Sequence, residues 1–252
     1  MSATIEIPTD TSVRAVFTTR RGGVSEGPFA GLNLGVATGD RPERVRANRR
    51  ALCDELGIDA DRVSMLRQVH GTGVRHLLAP SRPGRFTGGL RGWPEADALA
   101  TDRRGLGLVV LAADCLPVIL WRRDGSAVAA AHAGWRGLVG GVLEEAVGAV
   151  GGEPGALGAA IGPGIGPGSY VVGADVRQRF AGRFGDGVVV GDAVDLAAAA
   201  RIALVSVGLS AAAIRTVEAC THEDEERFFS YRRDGGTTGR QAGVAWMMQG
   251  EG

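Results

Sequence analysis

Three residues carry the chemistry legible in this chain: His70, Cys115 and His132. Each stands where an apolar, strand-like run gives way to a turn. His70 closes the run 63–69 and precedes Gly71. Cys115 lies between the apolar runs 108–113 and 116–121, directly after Asp114. His132 ends the run 127–131 and precedes Ala133-Gly134-Trp135-Arg136-Gly137. Two imidazoles and a thiolate are enough to hold a catalytic zinc with its fourth position open. The same trio also suits a thiol nucleophile with its base.

Composition removes several competitors. The chain has four His in all, too few for the mononuclear site and three-copper cluster of a multicopper oxidase. A single copper on His, Cys and His remains the less favoured alternative to zinc. Lys is absent, which excludes a Walker-type phosphate loop and Schiff-base chemistry. Any phosphate must therefore meet Arg, hydroxyls or backbone N–H groups. The formal net charge is zero, so no attraction to nucleic acid or to an anionic membrane is expected. Three widely spaced Cys make no disulfide framework. Residues 1–8 do not read as a signal peptide. The longest apolar stretch, 106–121, is interrupted by Asp114 and Pro117 and is too short to span a membrane. The cytoplasm is the expected location.

The elements that must position the trio follow from periodicity and turn chemistry. Strands are expected at 13–19, 63–69, 74–78, 96–100, 107–113, 116–121 and 127–131, with short ones at Ala159, Val188, Ile214, Phe228 and Val244. A helix starting at an Asp40 N-cap, with Glu43 three residues on and Gly57 as its stop, places Val45, Leu52 and Leu56 on one face. Further helices are expected at 135–150, at 174–184, and at 193–207 with Asp192 as N-cap. The Gly-, Pro- and Arg-rich stretch 82–94 reads as a mobile surface loop. The alternation is that of a mixed α/β unit, with no boundary among the three candidate residues.

Around the trio, Asp114 is the candidate to orient a ligand or move a proton. Arg20, Arg136 and Arg240 are candidates for a phosphate or ribose, and Asn33 and Gln68 for a base edge. Arg136 is favoured for phosphate because it opens a predicted helix, whose N-terminus attracts anions. The segment 162–168 has Gly and Pro in the wrong spacing for a dinucleotide loop and reads as a rigid turn. Cys53 reads as helix packing, Cys220 as a buried structural thiol, His76 as a surface strand residue and His222 as part of a solvated acidic loop.

Several blocks together resemble the YfiH-type family, long labelled laccase-domain or polyphenol oxidoreductase proteins. They are Phe17-Thr18-Thr19-Arg20, Gly22-Gly23-Val24-Ser25, Leu32-Asn33-Leu34-Gly35 with Gly39-Asp40, and Gln68-Val69-His70-Gly71. Next come Ala113-Asp114-Cys115-Leu116-Pro117, His132-Ala133-Gly134-Trp135-Arg136-Gly137 and Ile161-Gly162-Pro163. The last are Cys220-Thr221, Phe229-Ser230-Tyr231-Arg232 and Thr238-Gly239-Arg240-Gln241. The resemblance implies one YfiH-like domain over 1–252, with a core of about 13–248. Its implied fold is α/β, with mixed β-sheets layered with helices, similar to Cys–His deamidating toxins. It implies zinc on His70, Cys115 and His132, phosphorolysis of adenosine, inosine and methylthioadenosine, and adenosine deamination. The implied partners are a purine nucleoside and phosphate. Gly164, Gly168, Val172 and His222 depart from the family pattern, which bears on substrate choice rather than on the trio.

Two alternatives stay open at this point. A metal-free hydrolase or deamidase would use Cys115 with His132 or His70, acting for example on a peptidoglycan precursor. A non-enzymatic redox or binding protein would use Cys115 as its sensor.

Overall fold

In the computed structural model, residues 3–9, 11–82, 84–88 and 92–249 are described. The chain runs β1 (Thr4–Ile7), β2 (Val13–Thr18), α1 (Pro42–Leu56), β3 (Val63–Met65), β4 (Val74–His76), β5 (Ala98–Thr101) and β6 (Gly107–Ala112). It continues β7 (Leu116–Arg122), β8 (Val128–Ala133), α2 (Trp135–Gly140), α3 (Val142–Val150), β9 (Leu157–Ile161) and α4 (Ala174–Phe184). The last elements are β10 (Val189–Val190), β11 (Ala193–Val194), α5 (Leu196–Ser206), β12 (Ile214–Thr216) and β13 (Gln241–Met247). The fold is the expected mixed α/β arrangement. A five-stranded sheet is ordered β1-β2-β13-β6-β3, a six-stranded sheet β12-β9-β7-β8-β5-β4, and β10 pairs with β11.

Strand alternation explains the layering. In β6, Leu108 and Val110 pack between the two sheets, whereas Val109 faces the cluster containing Leu52 of α1. In β8, Val128 and Ala130 face the inter-sheet core, while Ala129, Ala131 and Ala133 meet Leu143 of α3 and Ala200 of α5. Successive side chains point to opposite faces, so a strand covered on both sides reads as a continuous apolar run. The order is helices, six-stranded sheet, five-stranded sheet, helix. No helix among the described residues is long and apolar enough to cross a membrane.

Local departures from the sequence reading have physical causes. The helix expected over 135–150 is two helices, because Gly141 takes a left-handed φ of 99° that ends α2. Asp195, not Asp192, caps α5 by accepting from the Ala198 N–H at 2.9 Å, and residues 193–194 form β11 instead. Arg41 occupies the N-cap of α1. Asp40 is turned to the preceding loop, where it accepts from Ser25 at 2.6 Å and Asn33 at 3.0 Å. No strand forms at Phe228. There the Gln241 side chain bonds both the N–H and the carbonyl of Phe229, at 3.0 and 3.1 Å, in place of a strand partner. The stretch 82–94 is not a free surface loop: Phe86 and Trp93 are buried, and the buried Arg49 guanidinium donates to the Phe86 carbonyl. Residues 83 and 89–91 of that stretch lie outside the described residues.

Candidate active site and metal centre

The three predicted residues converge where the two sheets open. His132 lies in β8 on the parity of Val128 and Ala130, the inter-sheet side. Cys115 immediately precedes β7, after a turn in which Asp114 has φ 90°. His70 follows β3 and has φ 59°. A left-handed backbone at a residue other than glycine costs about 1–2 kcal/mol, so both positions need local partners. Asp114 has them: its carboxylate accepts from Thr221 Oγ1 at 2.7 Å and from the Arg232 N–H at 2.6 Å. For His70 the partner is the carboxylate of Asp97, which accepts its N–H at 2.9 Å.

One ligand atom from each of His70, Cys115 and His132 lies within 4.8 Å of the others. The imidazole rings stand edge to face, with centroids 4.8 Å apart at 85°. His132 is buried, Cys115 half-buried and His70 exposed. Gly134 closes the space beneath them. A Cβ there would lie 2.9 Å from Cys115 Sγ and 3.2 Å from His70 Cδ2, so the cradle exists only because this residue has no side chain. Soft thiolate and borderline imidazole donors, this close together with one side open, fit a transition-metal ion.

The electrostatics favour a thiolate. Burial alone raises the Cys115 pKa, but the charge of His132 and hydrogen bonds from both histidines outweigh it and bring the thiol to about 6. Burial lowers the His132 pKa, and the Cys115 charge together with the Asp97 hydrogen bond reverses this, raising it to about 9. Asp97 is itself buried. Desolvation opposes its charge, yet hydrogen bonds from His132, Gly71 and Val69 hold its carboxyl below the usual range.

The cluster lines a cavity of about 690 Å³, a size suited to a small-molecule ligand. Gln68, Asp114 and Arg240 also line it. Gln68 is engaged by Leu111, donating to its carbonyl at 2.7 Å and accepting its N–H at 2.8 Å. Asn33 does not reach the cavity. It is fully buried and organises the neighbouring loop, accepting from the Gly35 and Arg240 N–H groups, each at 2.9 Å. Arg20 is also outside, donating to the Ala30 and Glu225 carbonyls and stacking 4.6 Å from the Phe229 ring. Arg136 is exposed over Trp135, with its guanidinium carbon 4.4 Å from the ring centroid. Arg136 is not among the residues lining the cavity, although its charge acts on Tyr170, which is, and the helix it opens, α2, has only six residues.

Four residues near the trio were not singled out by their chemistry: Asp97, Tyr170, Tyr231 and Arg232. Tyr170 and Tyr231 are the chain's two tyrosines, and both line the cavity. That scarcity was the available signal. The Arg232 guanidinium lies 5.1 Å over Tyr170, and that of Arg240 lies 5.6 Å over Tyr231. Cys53 is packed in the core with its thiol pushed up to about 12 by burial. Cys220 is half-buried rather than buried, and its sulfur accepts the Gly166 N–H at 3.1 Å. His76 is exposed on β4, and His222 is half-buried in the acidic loop, apart from the trio. A Cβ at Gly164 would lie 2.4 Å from Leu116 Cδ2, so a larger residue there requires that side chain to move.

Residues 14–248 match the family model described as multi-copper polyphenol oxidoreductase laccase. A protein of Xylella fastidiosa named purine nucleoside phosphorylase is 42% identical over 252 residues, covering 95% of this chain and 94% of the relative. Purine nucleoside phosphorylase YfiH of Escherichia coli K12 is 40% identical over 251 residues, covering 96% of each. A crystal structure of a Neisseria meningitidis protein superimposes with a TM-score of 0.85 at 36% identity, covering 98% of this chain and 100% of that one. The YfiH protein of Bacillus licheniformis gives a TM-score of 0.87 at 31% identity, over 93% and 92% of the two chains. The paired histidines and thiolate at a sheet mouth thus sit in a scaffold shared along the whole chain, which belongs to the YfiH, laccase-domain family.

Proposed function

We propose that this protein is a zinc-dependent purine nucleoside phosphorylase that also deaminates adenosine. The observation that carries the reading is the convergence of His70, Cys115 and His132 on one cavity that also presents Arg232, Arg240 and two tyrosines. The names of the relatives supply the substrate class. Adenosine, inosine and methylthioadenosine are the proposed nucleosides. His70, Cys115 and His132 would hold the zinc, and when bound it supplies Lewis acidity and activates water.

The remaining chemistry falls to the chain's own side chains. With no Lys available, Arg67, Arg232 and Arg240 are the arginines lining the cavity; Arg67 is paired with Glu95, which leaves Arg232 and Arg240 to orient phosphate toward C1′ of the ribose. Phosphate oxygen bonds to C1′ as the C1′–N9 bond breaks, and the purine leaves with that electron pair. Positioning and charge placement carry most of such a step, which passes through an oxocarbenium-like state. The departing base needs a proton. Tyr170 is the candidate donor by position, since it lines the cavity. Burial first, and the nearby Cys115 charge second, push its hydroxyl up to about 12, which keeps it protonated but makes it a weak acid, so its hydrogen bond to the leaving base would carry more than full proton transfer. Asp114 is poorly suited, since both its oxygens already accept hydrogen bonds. Tyr231, with 55% of its surface exposed, offers a stacking face for a base.

A second reading is favoured by one arrangement. Asp97, His132 and Cys115 form a chain of carboxylate, imidazole and thiolate, the order used by Cys–His hydrolases. In that reading Cys115 attacks and His132 moves the proton. One experiment separates the two. Pure protein of known metal content is incubated with adenosine, with and without phosphate, and adenine, ribose 1-phosphate, inosine and hypoxanthine are quantified by mass. Phosphate-dependent ribose 1-phosphate that tracks zinc content supports the proposal. Full turnover in metal-free protein, with a covalent adduct on Cys115, replaces it with the second reading.

A further inference from the structure

The buried side chain of Asp97 belongs to none of the three candidate ligands, yet it grips two of the segments that carry them. Its Oδ1 accepts from His132 Nδ1 at 2.9 Å and from the His70 N–H at 2.9 Å. Its Oδ2 accepts from the Gly71 N–H at 2.7 Å and the Val69 N–H at 3.2 Å. Its backbone carbonyl takes the His132 N–H at 2.7 Å. We propose that Asp97 is the positioning residue of the metal cluster, one carboxylate fixing both the tautomer of His132 and the backbone that aims His70.

The argument for His132 is one of donors and acceptors. An ionised carboxylate only accepts, so the ring nitrogen facing it must carry the proton. That leaves the Nε2 lone pair for the metal. An outer carboxylate of this kind orients a ligating imidazole and raises its basicity. For His70 the argument concerns the backbone. Three consecutive N–H groups, from Val69 to Gly71, converge on one carboxylate. Such a concave row of amides favours an anion, and here the anion holds His70 at its φ of 59°. Cys115 needs no such help from Asp97, because its turn is tied by Asp114 to Thr221 and Arg232.

Aspartate is also distinguished from asparagine. An amide replaces one acceptor oxygen with a donor NH2. Turned one way, that NH2 faces the Val69 and Gly71 N–H groups. Turned the other, it faces the His70 N–H and forces His132 Nδ1 to accept, which moves the imidazole proton to Nε2 and removes the lone pair from the cluster.

This inference rests on the reading that the cluster holds zinc, and the test separates the two. Wild-type protein and Asp97→Asn are stripped, reloaded with zinc, and titrated against a chromophoric chelator, while circular dichroism and thermal unfolding follow the fold. The expected result is an affinity ~10–100-fold lower for the variant, with its secondary structure retained. In parallel, nitrogen-15 spectra of zinc-saturated wild type should place the His132 proton on Nδ1, a readout that survives if the variant fails to fold and that a purely structural carboxylate would not require. Equal zinc affinity in the two proteins, or a proton on Nε2 in the wild type, overturns the inference while leaving the metal reading intact. Failure of the wild type to take up zinc overturns both.

Discussion

The carboxylate of Asp114 accepts a hydrogen bond from the backbone N–H of Arg232, 118 residues further along, at 2.6 Å. This bond ties the turn presenting Cys115 to the segment presenting Tyr231 and Arg232. The thiol and the cationic wall of the cavity are therefore set relative to one another by a single buried side chain. Together with the bond from Thr221, the Arg232 bond occupies both Asp114 oxygens as acceptors, so this neighbour of the thiol braces the site.

The thiol can be tested first. In metal-free protein, Cys115 should react with iodoacetamide at a rate that climbs as pH passes through about 6, the value to which His132 and His70 lower it. The sign follows from the ionisation: below that pH the thiol is protonated and slow, and above it the thiolate is present and fast. Cys53, buried and raised to about 12, should stay silent. Zinc should protect Cys115. Cys115→Ser should lose bound metal and turnover together. A reaction profile centred near 9 instead would mean that the histidines do not stabilise the thiolate.

Gly134→Ala isolates the cradle from the donors. Gly134 has φ −79° and ψ 170°, which alanine adopts without strain. The added Cβ would nevertheless sit 2.9 Å from Cys115 Sγ, so the thiolate or the His70 ring must shift. We expect a folded protein with zinc affinity reduced at least ~10-fold, since small displacements of ligands or of the groups that orient them have effects of this order. Unchanged affinity would show that the cluster tolerates a wider spacing.

Arg240→Met and Arg136→Met form a matched pair. Arg240 lines the cavity and Arg136 does not. Loss of the Arg240 guanidinium should reduce phosphorolysis by ~10²-fold, equivalent to ~2.7 kcal/mol of transition-state stabilisation. Deamination, which uses no phosphate, should fall less. Arg136→Met should lose less than Arg240→Met, because the Arg136 guanidinium is exposed over Trp135 and reaches the cavity only through its charge on Tyr170. Equal losses in both activities for Arg240→Met would assign it to nucleoside positioning, and a large loss for Arg136→Met would return the phosphate role to that residue.

Tyr170→Phe keeps the ring and removes the hydroxyl proton. If that proton reaches the leaving base, kcat should drop ~10²-fold or more with KM little changed and zinc retained. Nucleosides whose base leaves readily without protonation should be spared. A rise in KM alone would make Tyr170 a binding surface only.

The trio was legible in the sequence because His70, Cys115 and His132 are rare residue types at the ends of apolar runs, and backbone periodicity marks such ends. The mixed α/β character was legible for the same reason: continuous apolar strands such as β7 and β8 report burial on both faces. The sequence also left any phosphate to Arg, hydroxyls or backbone N–H groups, since it contains no Lys. Which arginines face the cavity depended on the tertiary structure. Arg136 and Arg240 are equivalent as residue types, but one stacks exposed on Trp135 and the other lines the cavity beside Tyr231. The role of Asp97 was likewise invisible, because its bonds reach back 26–28 residues and forward 35. Local pattern specifies which backbone a segment adopts. Contacts between distant segments depend on how the two sheets close on one another, and only that closure brings one carboxylate against two histidine segments.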